Sequence, residues 1–337
     1  MDHFKWAFIG YGGIAHSVAR KLKNTQNKIA AVYGRNYERA GEFAVKYGAK
    51  AYRSLDEMFT SGDFDGVYIA TPNDSHAFYA EQCILHGKPV LCEKPFALNQ
   101  TECKRVLDIA EEKGVYAAEA MWTWHNKVSL QVKEWIRSGI IGEIVSVDAT
   151  YAYPMLRKKD RTSRLVNPAA GGGSLLDIGI YPVRYVYELF GMPQSAECNG
   201  SLYNGVDVEE KIMMHYGTFT ANCFVSFKRM KGEKIVIKGT KGSVTVPFFH
   251  TAVKAKLTGC DKRTAAGKGG YQGAYLDEFN DTAQNIREGK LQSELVPHQA
   301  TLDTMELLDK FRKQMNVVFP IERTETAGND ENEFHTP

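Results

Sequence analysis

The sequence predicts an α/β chain: a doubly wound parallel sheet, followed by an α+β unit whose sheet is largely antiparallel. Three observations predict it. Apolar runs alternate with amphipathic helical segments from Trp6 to Glu119, as in parallel strands joined by crossover helices. Glycines and polar residues gather just past five of those runs, at Gly10/Gly12, Gly34/Arg35, Thr71-Pro72-Asn73, Glu93-Lys94-Pro95 and Glu119. Ligands of such sheets bind beyond the C-terminal strand ends. After Ala120 the texture changes to longer alternating runs separated by turns. The expected organisation is a first domain at 1–121, a second at 122–323, and an acidic, polar tail at 324–337 expected to be disordered.

The first run, Trp6-Ala-Phe-Ile9, reads as a buried strand, and Ile14, Ala15, Val18, Ala19 and Leu22 then fall on one helical face. Between them lies Gly10-x-Gly12-x-x-Ala15. Gly10 permits the tight turn, Gly12 lets backbone approach a pyrophosphate, and small Ala15 lets helix pack on strand. Gly13 and Ile14 open the helix, whose unpaired N–H groups and partial positive charge favour an anion. A dinucleotide site is therefore expected. The next strand, Lys28–Tyr33, ends at Gly34-Arg35-Asn36, with Arg39 one turn on. An acidic residue there would take a ribose 2′-hydroxyl and repel a 2′-phosphate; a guanidinium grips the phosphate. NADP(H) is expected, with NAD(H) the alternative.

Helix two spans Tyr37–Tyr47 and ends at Gly48, a residue suited to a C-cap. Ser54-x-x-Glu57 and Asn99-x-x-Glu102 open further helices as capping boxes, and Asp74 is expected to cap another that Gly87 closes. Gly66–Ala70, Pro89–Cys92 and Val115–Glu119 supply the fourth, fifth and sixth strands. Lys94 stands between a carboxylate and a proline, one residue past a buried strand, which gives it a rigid backbone and a counter-charge.

In the second half, Trp122 and Trp124 precede a helix at Val128–Ser138, and Gly142–Tyr153 alternates as a half-buried strand. A basic loop, Leu156–Pro168, leads to Ala170-Gly-Gly-Gly-Ser-Leu-Leu-Asp177-Ile-Gly-Ile-Tyr181-Pro. The glycines read as a turn, with a second anion site as the lesser alternative. From Ser174 a helix is expected, on which Asp177 and Tyr181 share a face. Five strand-like runs follow between Ala196 and Val246, expected to form an antiparallel sheet with one face available to helices or a partner subunit. Helices near Gln272–Glu288 and Pro297–Met315 close the chain.

With 42 basic and 40 acidic residues, the net charge of +2 implies no nucleic-acid partner. No apolar run approaches the ~20 residues of a membrane helix, and the first strand begins too early for a signal peptide. The six cysteines form no CxxC pair, which suits reduced, buried thiols and a cytoplasmic location. The nine histidines form neither HxxxH nor HExxH, so no metal is expected.

These motifs together resemble the glucose–fructose oxidoreductase/inositol dehydrogenase (Gfo/Idh/MocA) family across the chain to about Glu322. They are Gly10-x-Gly12-x-x-Ala15, Thr71-Pro-Asn73 with His76, Glu93-Lys94-Pro95, and Gly171-Gly-Gly-Ser-Leu-Leu-Asp177-Ile-Gly-Ile-Tyr181-Pro182. The last is similar to the branch of trans-dihydrodiol dehydrogenases and NADP-dependent sugar dehydrogenases. The resemblance implies a Rossmann domain, then an open-faced sheet forming homodimers or homotetramers, and a cis bond between Lys94 and Pro95. It implies hydride transfer between nicotinamide and a hydroxyl or carbonyl carbon of a sugar, polyol or cyclic trans-diol. Thr71, Pro72, Asn73, His76 and Glu93 would line the cofactor site with the glycines, and Trp122, Tyr153 and Asp177 the substrate site. Tyr181 would be the general acid/base, its phenolate favoured by a nearby cation. Lys94 would supply that charge and orient the substrate hydroxyl, while Asp177 binds a second hydroxyl or fixes the lysine. Trp124 and Asn126 stand where relatives commonly carry arginine and proline, which bears on the substrate. The alternatives are an NAD-dependent inositol or sugar dehydrogenase, a redox-cycling glycosidase, and a non-catalytic NADP(H)-sensing regulator.

Overall fold

In the computed structural model, which describes residues 3–156, 163–259, 263–266 and 270–322, the first apolar run forms strand β1 (Phe4–Ile9), buried at every position but Lys5. The expected tail at 324–337 and Cys260 lie outside the described residues. Alternation continues through α1 (Gly13–Leu22), β2 (Asn27–Tyr33), α2 (Tyr37–Tyr47), β3 (Lys50–Tyr52) and α3 (Leu55–Ser61). It then runs through β4 (Gly66–Ile69), α4 (His76–Leu85), β5 (Val90–Glu93), α5 (Gln100–Lys113) and β6 (Ala117–Ala120). The six strands pair in parallel in the order β3-β2-β1-β4-β5-β6. The order reverses direction beside β1, where a crevice opens at the C-terminal ends. Only β3, three residues long, is too short to carry a sequence pattern.

Local signals account for the helix ends. Asn36, Ser54 and Asn99 accept from the backbone N–H of Arg39, Glu57 and Glu102, and Gly48 and Gly114 close α2 and α5 in left-handed conformations. Asp74 departs from expectation. A 3-10 turn, Asn73–Ser75, intervenes before α4, whose start has no side-chain cap.

After β6 come α6 (Lys127–Arg137), β7 (Ile144–Ala152), a π-helical turn (Leu175–Gly179) and α7 (Ile180–Phe190). Strands β8 (Ser195–Tyr203), β9 (Val206–His215), β10 (Thr220–Ser226), β11 (Gly232–Gly239) and β12 (Gly242–Pro247) follow, then β13 (Lys254–Gly259) and β14 (Arg263–Ala266). Eight strands form one sheet, β14-β13-β12-β11-β7-β10-β9-β8. It is antiparallel except at its centre, where β7 and β10 run parallel. Such a pair requires a long crossover, and the chain from 153 to 219 carrying α7 provides it. The last helices, α8 (Gly270–Arg287) and α9 (His298–Gln314), return to the parallel sheet. Trp6 packs edge-on against Phe279 of α8 with ring centroids 4.8 Å apart, and His298 Nε2 lies 2.8 Å from the Ala117 carbonyl oxygen.

Buried ions join the two sheets. Arg184 of α7, fully buried, reaches Glu119 on β6 at 3.4 Å and Glu188 at 3.0 Å. Glu119 also accepts from the Phe96 N–H and Thr301 Oγ1. Glu119 therefore anchors elements behind the crevice and is absent from its wall.

Candidate active site

A cavity of about 920 Å³ opens where four of the five polar strand ends, all but Glu119, meet the π-turn and α7. Gly10, at φ +103°, lies so close to β4 that a Cβ would sit 2.5 Å from the Ala70 carbonyl oxygen. Gly12 and Gly13 line the cavity, and a Cβ on either would meet no protein atom within 4 Å. Backbone alone therefore borders this space, and no side chain caps the start of α1. Ile14 shares the wall, whereas Ala15 is fully buried behind it, as its packing role requires. Gly34, Arg35 and Arg39 form the far end. Arg39 lies over the Tyr11 ring, 5.2 Å from its centroid, and the Tyr11 hydroxyl accepts from the Asn36 N–H at 3.2 Å. This end joins two cations to an aromatic face and an uncapped helix start, and so fits a dinucleotide bearing a 2′-phosphate.

Thr71, Pro72 and Asn73 form the next part of the wall. Asn73 Nδ2 donates to the Gly171 carbonyl at 2.9 Å, tying β4 to the glycine string of the second half. The buried His76 ring lies 2.8 Å from the Pro95 carbonyl and 2.9 Å from that of Thr71, bracing both loops. Burial pushes its pKa down, against the pull of those two carbonyls. Glu93 accepts from the Tyr68 hydroxyl at 2.5 Å, and burial raises its carboxyl pKa. The Lys94–Pro95 bond is cis.

The second half brings the remaining groups. Lys94 Nζ donates to the Asp177 main-chain oxygen at 2.5 Å and lies 3.7 Å from its carboxylate. The ammonium stands 5.1 Å from the Tyr181 ring centroid. Asp177 sits in the π-turn, a distortion common at functional sites, rather than in the α-helix expected from Ser174. The start of that turn is closed to an external anion. Asp207 Oδ2 accepts from the Leu175 N–H at 2.6 Å, so the anion there is the protein's own. Trp122 stacks with Tyr181 at 6.2 Å and meets Tyr275 edge-on at 3.8 Å.

Tyr153, expected on the substrate side, is outside the cavity wall; Tyr151, two positions back on the same face of the strand, lines it. Among the other lining residues that escaped the sequence reading are four from the second half of the chain. Arg164, 3.4 Å from Asp177, opens a short 3-10 turn, Arg164–Val166; His250 follows β12; Tyr275 lies within α8; and Met155 follows β7. No local motif marks any of them. Trp124 and Asn126 are buried away from the wall, Trp124 against Tyr185 and Asn126 donating to the Ala252 carbonyl at 2.8 Å. Neither side chain lines the cavity. The five described cysteines are buried and free, and no described helix is long and apolar enough to cross a membrane.

A glycine turn and a lysine at the strand ends of a parallel sheet, facing a phenol on α7 across one cavity, define a nicotinamide-dinucleotide oxidoreductase. Residues 4–120 match the profile described as "Oxidoreductase family, NAD-binding Rossmann fold" of GFO_IDH_MocA, and 129–245 match the GFO/IDH/MocA C-terminal domain. The chain belongs to the Gfo/Idh/MocA family. It is 32% identical to the Bacillus subtilis scyllo-inositol 2-dehydrogenase (NADP(+)) IolU, over 95% of this chain and 99% of that protein. It is 27% identical to mouse trans-1,2-dihydrobenzene-1,2-diol dehydrogenase, over 94% and 98%. Among solved structures, the 3-ketoreductase KijD10 of Actinomadura kijaniata, in complex with NADP and TDP-benzene, superposes with a TM-score of 0.82. That likeness, at 21% identity over 93% of this chain and 98% of that one, bears on the fold.

Proposed function

We propose that this protein is an NADP(H)-dependent oxidoreductase acting on a hydroxyl or carbonyl carbon of a sugar, polyol or cyclic trans-diol. The observation that carries this reading is the approach of Lys94 to Asp177 and Tyr181 across the two sheets. The cofactor assignment is supported by Arg35 just past β2 and Arg39 in the first turn of α2, and by the NADP-dependent relatives.

Bound nicotinamide supplies or accepts the hydride. Gly12, Gly13 and the start of α1 hold the pyrophosphate, while Arg35 and Arg39 hold the 2′-phosphate. Tyr181 takes the proton from the substrate hydroxyl during oxidation and returns it during reduction. An unperturbed phenol is a poor base at neutral pH, and the Lys94 ammonium favours its ionised form. Asp177 fixes that ammonium through its main-chain oxygen, and its carboxylate is shared with Arg164. Trp122, Tyr151 and Tyr275 give the substrate end an aromatic wall that excludes water.

The open face of the second sheet is proposed as the homo-oligomer contact, and a cytoplasmic location accords with the free buried thiols. Light scattering on the purified protein tests the first, and fractionation of cells tests the second. The activity is tested with aldoses, inositols, trans-diols and dicarbonyls offered with each of NADP(H) and NAD(H), followed by absorbance. Turnover of a polyol with NADP is the expected result. Turnover confined to NAD, or none with any substrate, would overturn the reading.

A further inference from the structure

The residue between the first two glycines of the nucleotide turn is Tyr11, which lines the cavity together with Gly34, Arg35 and Arg39. Three contacts fix where its ring lies. The first is steric: a Cβ on Gly34, just past β2, would sit 2.2 Å from Tyr11 Cε1 and 2.8 Å from Cδ1. The Gly34 backbone is not left-handed, so the space taken by the ring, and not the backbone conformation, excludes a larger residue there. The second is the Asn36 N–H, which donates to the Tyr11 hydroxyl at 3.2 Å. The third is the Arg39 guanidinium, 5.2 Å from the ring centroid. Asn36 also caps α2, its Oδ1 accepting from the Arg39 N–H at 2.8 Å. The loop after β2, the first turn of α2 and the ring are thereby tied together.

Arg39 is exposed, and among the described residues no carboxylate pairs with it. A guanidinium is planar and weakly hydrated, so it stacks on an aromatic face while its N–H fork stays available to an oxyanion. A long side chain in open solvent loses rotamer freedom when a ligand captures it. On the ring, Arg39 has given up part of that freedom before any cofactor arrives. Its charge, shared with no carboxylate, is left for a phosphate. A cofactor with a hydroxyl in place of the 2′-phosphate gains nothing from this arrangement.

We infer that Tyr11 is a positioning residue for the 2′-phosphate: its ring is the floor on which Arg39 is preorganised, and Gly34 leaves the space in which that ring lies. Tyr11 takes no part in hydride or proton transfer; it sets how far a cofactor bearing the 2′-phosphate is preferred over one without. This inference rests on the NADP(H) reading above, and adds to the two arginines the group that aims one of them.

The test measures binding of NADP+ and of NAD+ to the full chain by calorimetry, with the ratio of the two affinities as the readout. Tyr11→Leu, which keeps an apolar side chain without an aromatic face, is expected to lower that ratio by about three- to tenfold, the range of a cation–π contact. Tyr11→Phe, which keeps the ring, is expected to hold it within about twofold. Gly34→Ala leaves Tyr11 in place but forces its ring aside, and is expected to lower the ratio as Tyr11→Leu does. It keeps the test decisive should Tyr11→Leu fail to fold. In an Arg39→Ala background, Tyr11→Leu is expected to change the ratio by less than about twofold, because the cation it positions is gone. Equal losses for both cofactors in Tyr11→Leu and Gly34→Ala would overturn the role of the ring and leave the NADP(H) reading intact. So would a fall in Tyr11→Phe as large as in Tyr11→Leu, or additive losses from Tyr11→Leu and Arg39→Ala. A wild-type chain that binds NAD+ as tightly as NADP+ would overturn that reading, and this inference with it.

Discussion

Lys94 and Asp177 lie 83 residues apart in the chain, and the lysine ammonium donates a 2.5 Å hydrogen bond to the aspartate's main-chain oxygen. The bond goes to backbone rather than to the carboxylate, 3.7 Å away. That oxygen is presented by the π-turn, which Asp207 fixes through the Leu175 N–H and Ser174 through Glu210. Buried carboxyls of the second sheet thus set the geometry of a lysine carried by the first.

If the ammonium favours the Tyr181 phenolate, Lys94→Ala and Tyr181→Phe should each lower kcat by about 10²–10⁴-fold, the range of general acid–base contributions. NADPH titration by fluorescence should give nearly wild-type affinity in both. Undiminished turnover in either variant would remove the assigned roles.

Cofactor choice should reside in the end of β2. Each charged hydrogen bond to a 2′-phosphate contributes about 1.5–3 kcal/mol. Arg35→Ala should therefore weaken NADP+ binding by about 10–150-fold and leave NAD+ binding within a few-fold, as calorimetry can resolve. Equal losses for both cofactors would place Arg35 elsewhere in recognition.

What the sequence made legible is whatever depends on short-range pattern. The alternation of β1, β2, β4, β5 and β6 with their helices, the turn at Gly10 and the capping residues Ser54 and Asn99 are all local, and each is where the pattern placed it. Lys94, Asp177 and Tyr181 were legible through their motifs, although the contact joining them crosses two sheets. His250 and Tyr275 were not legible, because a histidine after a strand and a tyrosine within a helix have the spacing of ordinary core residues. Only tertiary packing turns them toward the cavity. Glu119 shows the converse: its place at a strand end suggested a ligand contact, but Arg184, Thr301 and the Phe96 N–H occupy its carboxylate.

The glycine string has a steric basis at Gly173. Its φ of +127° is costly for any other residue, and a Cβ would sit 2.5 Å from Asp207 Oδ1. Gly173→Ala should therefore destabilise the fold by about 1–3 kcal/mol. It should also displace the π-turn, lowering kcat more than NADPH affinity. Thermal melts with and without NADPH separate the two effects, and an unchanged melting temperature would argue against the strain.

A last expectation concerns pH. Glu278 of α8 is wholly buried, neither carboxyl oxygen has a hydrogen-bond partner among the described residues, and His125 Nδ1 lies 3.9 Å away. Burial raises its pKa well above the ordinary value; Glu93, Glu119 and Asp281 push the same way, and Lys21 opposes them. In the unfolded chain the carboxyl ionises near its usual value of about 4.3. Above that pH the unfolded state gives up a proton that the folded state keeps. Its contribution to stability is thus fully present below the usual carboxylate pKa and is lost as pH rises through the raised folded value. The slope is about 1.4 kcal/mol per pH unit in that window. Lys21 faces the same region with its pKa lowered to about 7, chiefly by burial, so above about pH 7 the folded chain gives up a lysine proton that the unfolded chain keeps, which partly offsets the loss there. Glu278→Gln removes the titration while keeping the shape. Its unfolding free energy, from denaturant melts between pH 4 and 8, should fall less steeply with pH than that of the wild type. Parallel curves would show that Glu278 does not hold its proton in the folded state.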